Sequence, residues 1–541
     1  MFPRMRNLQR WFPVLFLIAV IAWLAPAHAD DGPGLSTELL DKIIQPALDQ
    51  QPDIPPEIPR ILLIGFDGFT WRQIQPLLDQ GELPHFAKVL KNGAGIRLQA
   101  TDFPSSAASW PSIMTGCSPD KTGIYSFFRM DPDTYELHLN HAGYRKTKAL
   151  WEIVSDAGFP VFAVNVPMSW PPDTVNGTII TGLLSPENGV FTHPPELSAP
   201  LRDAGYVTGY RRFRETLKFG GPAFTRNGDD MDVNTLFDIA LNRYRVVHYL
   251  VTRTPWRFGA VVFTLADRFQ HNQTALGTPM IQHACKQMDV LLGGLMNAIP
   301  SNTYVVVCSD HGFRKYETTF LLGEWLRRNG YIVTGGDSQP DFEKTRLIPL
   351  DRVGNAGLYR WNIQGRESRG TVPLSAKSEM VQQLEKRLNE IRDASGSPVV
   401  RHVRIFSGDD GGPDILVELT PDLLLNNFLD VPGPLERTLE QPVYDHEHNG
   451  VGIVSGPGIR PSGNRINASV LDIAPTCTYA AGLPVPDTMD GTVLTQLFTP
   501  QWFNDHPVRV NGSSDRKVRN ITKPLKDESV MNQLKSLGYI Q

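Results

Sequence analysis

The sequence predicts an α/β fold in which helices cover both faces of a mostly parallel sheet. Short apolar runs alternate with helix-like stretches between about residues 60 and 310, which is the pattern of repeated βαβ units. The runs are rich in β-branched residues, as strands buried on both faces usually are. The expected strands are 60–64, 161–166, 258–264 and 304–308, and the expected helices are 148–157, 235–250 and 280–299.

The alternation of strands and helices ends after Gly312, where the chain changes character. We expect a helix at 320–328 and a charged amphipathic helix at 377–391, because apolar residues recur there at helical spacing. Strands are expected at 399–405 and 415–419. Together these elements predict an inserted cap subdomain.

The expected cap divides the α/β core into two parts. In the second part we expect a strand near 452–454 and a helix at 470–481, and a short helix at 530–537 near the chain's end. The expected segments are a signal peptide at 1–29, an N-terminal segment at 30–57, a first core part at 58–319, a cap at 320–440, a second core part at 441–499 and a polar tail at 500–541.

The first thirty residues have the composition of a secretory signal peptide. Three arginines, at positions 4, 6 and 10, precede an apolar stretch at 11–26, and Ala27-His28-Ala29 forms a small-x-small cleavage site. An uncleaved anchor is the alternative, but the stretch is short for a span of about 20 residues. We therefore expect an exported protein, periplasmic or secreted, with no stable membrane span after cleavage.

The overall composition excludes some classes of partner. The formal net charge of −5, without a basic run, argues against nucleic acid as the main partner. The chain has 541 residues, of which 41% are apolar, so a large core is possible without disulfides. The four cysteines, Cys117, Cys285, Cys308 and Cys477, have spacings that match no zinc knuckle.

Four places along the chain offer side chains that bind divalent metals, each at or near the end of an expected strand. Asp267 and His271, four residues apart, face the same side of a helical turn and can share one ion. Strand ends of open α/β sheets converge at one edge, so we expect these groups to meet there. Mixed carboxylate and imidazole ligands suit a two-ion site for attack on phosphorus. The candidates are Asp67, Asp267, His271, Asp310, His311, His446 and His448.

The segment 103–116 offers a nucleophile for such chemistry, because it contains several serines near the start of an expected helix. A serine there feels the positive end of the helix dipole, and a neighbouring metal ion would lower its pKa. The alternative role of Ser105, Ser106 or Ser109 is to cap the helix. The residues alone leave this choice open.

Motifs spread over residues 58 to 495 resemble the alkaline phosphatase superfamily. The resemblance is to its type I phosphodiesterase/nucleotide pyrophosphatase branch, within the group described as predicted phosphohydrolases or phosphomutases. The motifs are Ile64-Gly65-Phe66-Asp67-Gly68, Ser106-Ala107-Ala108-Ser109-Trp110, Met114-Thr115-Gly116, Thr122-Gly123-Ile124-Tyr125-Ser126-Phe127, the segment 165–172, the segment 362–367, Ser309-Asp310-His311-Gly312-Phe313, His446-Glu447-His448-Asn449-Gly450 and Ser455-Gly456-Pro457-Gly458.

The resemblance implies an alkaline-phosphatase-like three-layer α/β/α sandwich and a role for each matching residue. Ser106 would be the nucleophile, because the family nucleophile stands nine residues before the threonine of the Thr-Gly pair, here Thr115; Ser105 is the alternative. The family more often has threonine at this position. His446 is preferred over His448, because the family histidine stands four residues before the glycine. The implied ion ligands are Asp67, Asp310, His311 and the Ser106 oxygen for one ion, and Asp267, His271 and His446 for the other.

Three neighbouring features have simpler interpretations. Residues 117–121 resemble a sulfatase activation motif, but the arginine is absent and the cysteine follows the Thr-Gly pair, so we interpret them as a turn. Trp110 and Arg268 lie close to site residues in sequence. We expect Trp110 to pack in the core and Arg268 to form a surface ion pair.

The resulting hypothesis is an exported phosphohydrolase with two divalent ions that acts on a small phosphate mono- or diester through a phosphoryl-enzyme. Zinc is the first choice because the ligands include imidazoles and no thiolates; manganese or iron are alternatives. A transferase or phosphomutase would use the same core with an alcohol as acceptor. A third interpretation is a non-catalytic binding protein, although every position expected to bind an ion carries a suitable residue.

Overall fold

A computed structural model describes residues 35–48, 53–186, 188–208, 233–336, 339–408 and 411–516. The expected signal peptide and the expected helix at 530–537 lie outside the described residues. Among the described residues, none of the helices has the length and apolar character needed to cross a membrane.

A large sheet forms the centre of the described structure. Its nine strands lie in the order β18-β2-β17-β9-β1-β8-β5-β6-β7. The five neighbours from β9 to β6 are parallel to one another, whereas β17 is antiparallel to both of its neighbours. The strands of this sheet are β1 (Arg60–Phe66), β2 (Gly93–Gln99), β5 (Val161–Val164), β6 (Gly177–Ile180), β7 (Thr192–His193), β8 (Phe258–Phe263), β9 (Thr303–Cys308), β17 (Asn449–Ser455) and β18 (Ser462–Ser469).

Helices pack on both faces of this sheet because alternate residues of its central strand enter two separate apolar clusters. Leu62 and Ile64 of β1 belong to one cluster, and Ile61 and Leu63 belong to the other. Side chains of a strand point alternately to opposite faces, so the two clusters are the two interfaces of a three-layer α/β/α sandwich. The predicted α/β fold with a mostly parallel sheet is therefore confirmed.

The α-helices agree with the sequence prediction where the apolar period is long, to within a few residues at each end. Their bounds are α1 (Thr37–Leu48), α2 (Trp71–Asp79), α3 (Pro84–Lys91), α4 (Ser106–Thr115), α5 (Pro119–Thr122), α6 (Leu150–Asp156), α7 (Ser198–Asp203), α8 (Val233–Arg253), α9 (Leu265–His271), α10 (Gln273–Leu276), α11 (Thr278–Ala298), α12 (Leu322–Arg328), α13 (Lys377–Asn389), α14 (Ile473–Ala480) and α15 (Pro500–Asp505).

The remaining strands lie outside the central sheet. Two long strands, β10 and β16, pair antiparallel next to the carboxyl end of β9, and a separate four-stranded antiparallel sheet has the order β11-β12-β14-β13. These outer strands are β3 (Phe128–Met130), β4 (Leu137–Leu139), β10 (Gly312–Leu321), β11 (Leu347–Val353), β12 (Ala356–Trp361), β13 (Val400–Ile405), β14 (Ile415–Leu419), β15 (Leu423–Asn426) and β16 (Glu436–Glu447).

The four-stranded sheet lies within the segment predicted to be a cap and packs around an apolar cluster of its own, which includes Trp361, Leu384 and Val417. The limits of the cap at 320 and 440 stay a prediction. Two strands, β10 and β16, each run across one of these limits. The helix expected at 320–328 is present, but it begins two residues later, at Leu322. Phe320 is still in β10, where it pairs with Glu436.

Candidate active site

Three neighbouring strands at the centre of the sheet are each followed, within four residues, by an aspartate that was predicted as a metal ligand. Asp67 follows β1, Asp310 follows β9, and Asp267 lies at the start of the helix that follows β8. The sheet order places β1 between the other two strands. All three strands are parallel, so their carboxyl ends share one edge and bring the three carboxylates together.

The first cluster consists of Asp67, Asp310 and His311, all fully or nearly fully buried. His311 Nε2 lies 3.1 Å from Asp310 Oδ2 and 3.5 Å from Asp67 Oδ1. One potential ligand atom from each residue lies within 4.8 Å of the others. The backbone N–H of Gly68 also donates to Asp310 Oδ1 at 3.3 Å, which fixes this carboxylate against the turn after β1.

The second cluster consists of Asp267, His271 and His446, and one potential ligand atom from each lies within 4.8 Å of the others. Asp267 Oδ1 lies 3.4 Å from His271 Nε2 and 3.5 Å from His446 Nε2. The two Nε2 atoms are themselves only 3.0 Å apart. The expected pairing of Asp267 and His271 on one helical turn is therefore present, and β16 supplies the third group from more than 170 residues away.

The structure separates the candidate serines by orientation. Ser105 is the N-cap of α4, and its Oγ accepts a hydrogen bond from the N–H of Ala107 at 3.3 Å. Ser109 Oγ lies 3.2 Å from Thr101 Oγ1. Ser106 is the first helical residue, and its Oγ lies 3.1 Å from His311 Nε2 and 3.4 Å from Asp67 Oδ1. Ser106 is thus the serine that faces the first cluster.

The two candidate histidines near Gly450 are separated in the same way. His446 belongs to the second cluster. His448 instead points Nε2 toward Glu418 Oε1 at 3.3 Å, and its Nδ1 lies 3.1 Å from Thr101 O. The geometry therefore places His446 with the other ligand candidates, and His448 at the contact with β14.

Burial makes the charges of the site strongly interdependent. Burial and the charges of Asp310 and Asp267 raise the pKa of Asp67 well above its usual range. Burial and Asp267 raise the pKa of Asp310 to about 7. Burial would also raise the pKa of Asp267, but the adjacent His271 and a hydrogen bond from His446 bring it well below its usual value. A cation between these carboxylates would relieve their repulsion.

The ring nitrogens are oriented as in metal-binding histidines. His446 Nδ1 donates to Pro104 O at 2.8 Å, and His311 Nδ1 lies 3.2 Å from Gly312 O. Backbone contacts at Nδ1 aim Nε2 of each ring into the site, which is the usual arrangement for a metal ligand. Asp267 Oδ1 and Asp310 Oδ2 are buried and face imidazole Nε2 atoms at 3.1 to 3.5 Å. The donor set therefore fits divalent cations.

Sequence reasoning underestimated two residues beside the site. Trp110 packs in the core as expected, but its Nε1 also donates to Asp67 Oδ2 at 3.0 Å. Arg268 was expected at the surface, and this expectation is wrong: it is 4% exposed and lies 3.9 Å from Asp267 Oδ2. The interpretation of 117–121 as a turn needs a small correction, because α5 begins at Pro119. Cys117 is fully buried.

Fold and site together define an α/β enzyme with paired carboxylate–imidazole clusters at the carboxyl edge of its sheet. Residues 61–425 match the model of the type I phosphodiesterase / nucleotide pyrophosphatase family, and the chain belongs to this family. It is accordingly a phosphoric ester hydrolase of the alkaline phosphatase superfamily, and the family implies small phosphate-ester substrates. None of the curated proteins compared with the chain matches it significantly.

Three solved structures are similar to this chain at low sequence identity, and the first of them shares its fold. The alkaline phosphatase PafA is 13% identical with a TM-score of 0.54, and the match covers 83% of this chain and 100% of that chain. Murine ectonucleotide pyrophosphatase/phosphodiesterase 5, solved with AMP, is 13% identical with a TM-score of 0.49, over 82% of this chain and 100% of that chain. Phosphonoacetate hydrolase from Sinorhizobium meliloti, with phosphonoacetate, is 15% identical with a TM-score of 0.46, over 78% and 96%.

Proposed function

We propose that this chain is an exported, metal-dependent phosphohydrolase in which Ser106 attacks phosphorus and forms a phosphoryl-enzyme. One observation carries the proposal. Ser106 Oγ lies within 3.4 Å of both an aspartate and a histidine of the first cluster, at the start of a helix. A hydroxyl group in that position can be activated as a nucleophile and oriented toward phosphorus.

Two divalent ions would be held by the residues of the two clusters. Asp67, Asp310, His311 and the Ser106 oxygen would hold one ion. Asp267, His271 and His446 would hold the other. Oxygen and imidazole donors without thiolates suit zinc, with manganese or iron as alternatives. Bound ions would lower the pKa of the serine hydroxyl and stabilise charge on the attacking and leaving oxygens.

The chain's own residues contribute orientation and exclusion of water. The N-terminus of α4 favours negative charge on Ser106 Oγ, because the helix dipole is positive there. Pro104 O and Gly312 O hold the imidazoles of His446 and His311 with Nε2 toward the site. Burial of Asp67 and Asp310 keeps bulk water from these carboxylates and strengthens their electrostatic interactions.

The reaction proceeds in two displacements at phosphorus. In the first, a bond forms between Ser106 Oγ and phosphorus while the bond to the leaving alcohol breaks, and the alcohol takes up the proton that the serine hydroxyl loses. In the second, the oxygen of water bonds to phosphorus while the bond to Ser106 Oγ breaks, and a proton of the water restores the serine hydroxyl. The same core would accept a phosphate monoester or diester, since the two share the reacting phosphorus and one leaving oxygen.

The experiment that tests this proposal compares Ser106→Ala with Ser105→Ala. The first variant removes the proposed nucleophile, and the second removes a neighbouring hydroxyl that accepts a hydrogen bond from Ala107 N–H. We expect Ser106→Ala to keep two ions by elemental analysis but to lose at least about 10³-fold in kcat on p-nitrophenyl phosphate or its bis-ester. Ser105→Ala should stay within about tenfold. An undiminished kcat in Ser106→Ala would reject the proposal.

Export and metal identity have their own tests. The pattern of arginines, apolar stretch and Ala27-His28-Ala29 supports cleavage after Ala29. Mass spectrometry of the protein from a periplasmic or culture fraction should find Asp30 as the first residue. Elemental analysis of the same material should find zinc at about two ions per chain, whereas a chain without bound metal would contradict the proposal.

A further inference from the structure

Both oxygens of the Asp67 carboxylate are contacted by side chains of one helix. Ser106 Oγ lies 3.4 Å from Oδ1, and Trp110 Nε1 donates a hydrogen bond to Oδ2 at 3.0 Å. Ser106 and Trp110 are four residues apart in α4, so they project from the same face of the helix. One helical turn therefore contacts the carboxylate from two directions and distinguishes its two oxygens.

The sheet is shaped to receive the indole ring. Trp110 is fully buried, and its ring lies over Gly65, two residues before Asp67 on β1. A Cβ atom at Gly65 would overlap the outer ring carbons of Trp110. Glycine inside a strand marks a close approach of this kind. The absence of a side chain at Gly65 thus lets the indole reach Asp67.

The hydrogen bond from Trp110 reaches the carboxylate through a neutral N–H group. A neutral donor can hold one oxygen of a buried carboxylate without occupying the position of a cation. Trp110 therefore holds Oδ2 of Asp67, while Oδ1 faces Ser106 Oγ and His311 Nε2.

We propose that Trp110 is a positioning residue, which holds Oδ2 of Asp67 so that this side chain presents Oδ1 alone to Ser106, Asp310 and His311. The inference rests on the proposed function, in which these groups share one ion. Partners that orient a ligating carboxylate commonly contribute 10- to 100-fold to metal affinity. Trp110 would contribute in this way to one of the two ion sites.

The test measures zinc affinity by competition with a chromophoric chelator, so that its readout does not depend on turnover. Trp110→Phe removes the N–H and keeps an aromatic ring. We expect it to bind one of its two zinc ions about 10- to 100-fold more weakly and to leave the other unchanged. The matched control is Trp151→Phe, because Trp151 is also buried and donates to Asp173 Oδ2 at 2.9 Å. This control should keep wild-type affinity at both sites.

A second variant separates the hydrogen bond from the packing of the ring. In Trp110→His, the imidazole can superpose on the five-membered ring of the indole and keep a donor nitrogen at the same place. It should restore zinc affinity to within about threefold of wild type, although it packs less well. Circular dichroism and thermal unfolding of the zinc-free variants report whether each has folded.

The possible outcomes distinguish the inference from the proposed function. Equal zinc affinity in Trp110→Phe and wild type would overturn the role of Trp110 and leave the proposed function intact. An equal loss in Trp151→Phe would overturn it too, since the loss would then follow from any buried Trp–Asp contact. A Trp110→Phe chain that does not fold leaves Trp110→His to decide, and weak binding there would also overturn the inference. Wild-type protein that binds no zinc, manganese or iron would overturn both.

Discussion

The imidazoles of His311 and His446 stack face to face, with ring centroids 3.6 Å apart and planes inclined by 19°. The first histidine belongs to one carboxylate cluster and the second to the other, so this stack joins the two clusters. Burial and the neighbouring His446 hold the pKa of His311 well below its usual range. Burial would also lower the pKa of His446, but the hydrogen bond to Asp267 raises it overall. At most one ring of the stack is therefore protonated near neutral pH.

The two histidines near Gly450, His446 and His448, should differ in their effect on metal binding, because His446 belongs to the second cluster. His446→Ala should lose one of two bound ions, because it removes a group that lies 3.5 Å from Asp267 Oδ1. His448→Ala is the matched control, since His448 contacts Glu418 and Thr101 instead. Elemental analysis after desalting should give about one ion for the first variant and about two for the second. If His448→Ala lost an ion and His446→Ala did not, His448 would be the metal ligand, and the assignment of His446 would be wrong.

Metal affinity should depend on pH through Asp310, whose pKa is raised to about 7 by burial and by Asp267. Below pH 7 the metal-free protein holds a proton on this carboxylate, and an ion must displace it. Zinc affinity should therefore rise by at least about tenfold per pH unit between pH 5.5 and 6.5. Calorimetry in two buffers of different ionisation enthalpy would count the released protons. Affinity that is constant over this range would contradict the assignment of Asp310.

The same shift predicts how the stability of the metal-free protein depends on pH. The folded-state pKa of Asp310 is about 7 and its ordinary value is 3.8, so the folded state binds more protons than the unfolded state between these values. This group's contribution to stability is therefore present at low pH and is lost as the pH rises toward 7. Thermal unfolding with a chelator should show the loss, and saturating zinc should reverse it. Asp310→Asn should remove this part of the pH dependence.

Gly65→Ala should destabilise the fold, because the added methyl group would overlap the ring of Trp110. Overpacking of this kind typically costs about 1–3 kcal/mol in the free energy of unfolding. Gly336→Ala is the control, since a Cβ there meets no atom within 4 Å among the described residues. Chemical denaturation would compare the two variants with wild type. Equal midpoints for Gly65→Ala and Gly336→Ala would show that the indole can move aside.

A buried ion-pair network away from the site predicts a large stability effect without an effect on metal binding. Asp173 is 1% exposed and accepts from Arg145 Nη2 at 2.7 Å and from Trp151 Nε1 at 2.9 Å. Asp173→Ala leaves the buried Arg145 without this partner, which should cost about 3–5 kcal/mol. The exposed pair of Lys148 and Asp156 is the comparison, and Asp156→Ala should cost less than about 1 kcal/mol. Denaturation curves of the zinc-loaded proteins test both values.

The part of the fold that carries the ligands could be predicted because its strands are buried on both faces. β1, β8 and β9 consist almost entirely of apolar residues, so composition alone identifies them. β2 and β18 could not be recognised in this way. Their glycines and polar residues resemble loops, and each becomes a strand by pairing with a neighbour distant in sequence.

The residues of the site also divide into those that the sequence could predict and those that it could not. Strand-end aspartates and the i,i+4 pair of Asp267 and His271 could be predicted, because their geometry is local. The roles of Trp110 and Arg268 depend on how a helix is rotated against the sheet, which composition does not specify. The four-residue spacing of Ser106 and Trp110 was a signal for a shared helix face, and it became informative only once Ser106 had been placed beside Asp67.

The stereochemical course at phosphorus tests the central claim most directly. A substrate can be made chiral at phosphorus by one sulfur atom and an oxygen isotope. It would be hydrolysed in water that carries another oxygen isotope, and phosphorus NMR would give the configuration of the product. Two successive displacements, the first by Ser106 Oγ, predict net retention of configuration. Net inversion would mean that water attacks the substrate directly, and it would contradict the nucleophilic role of Ser106.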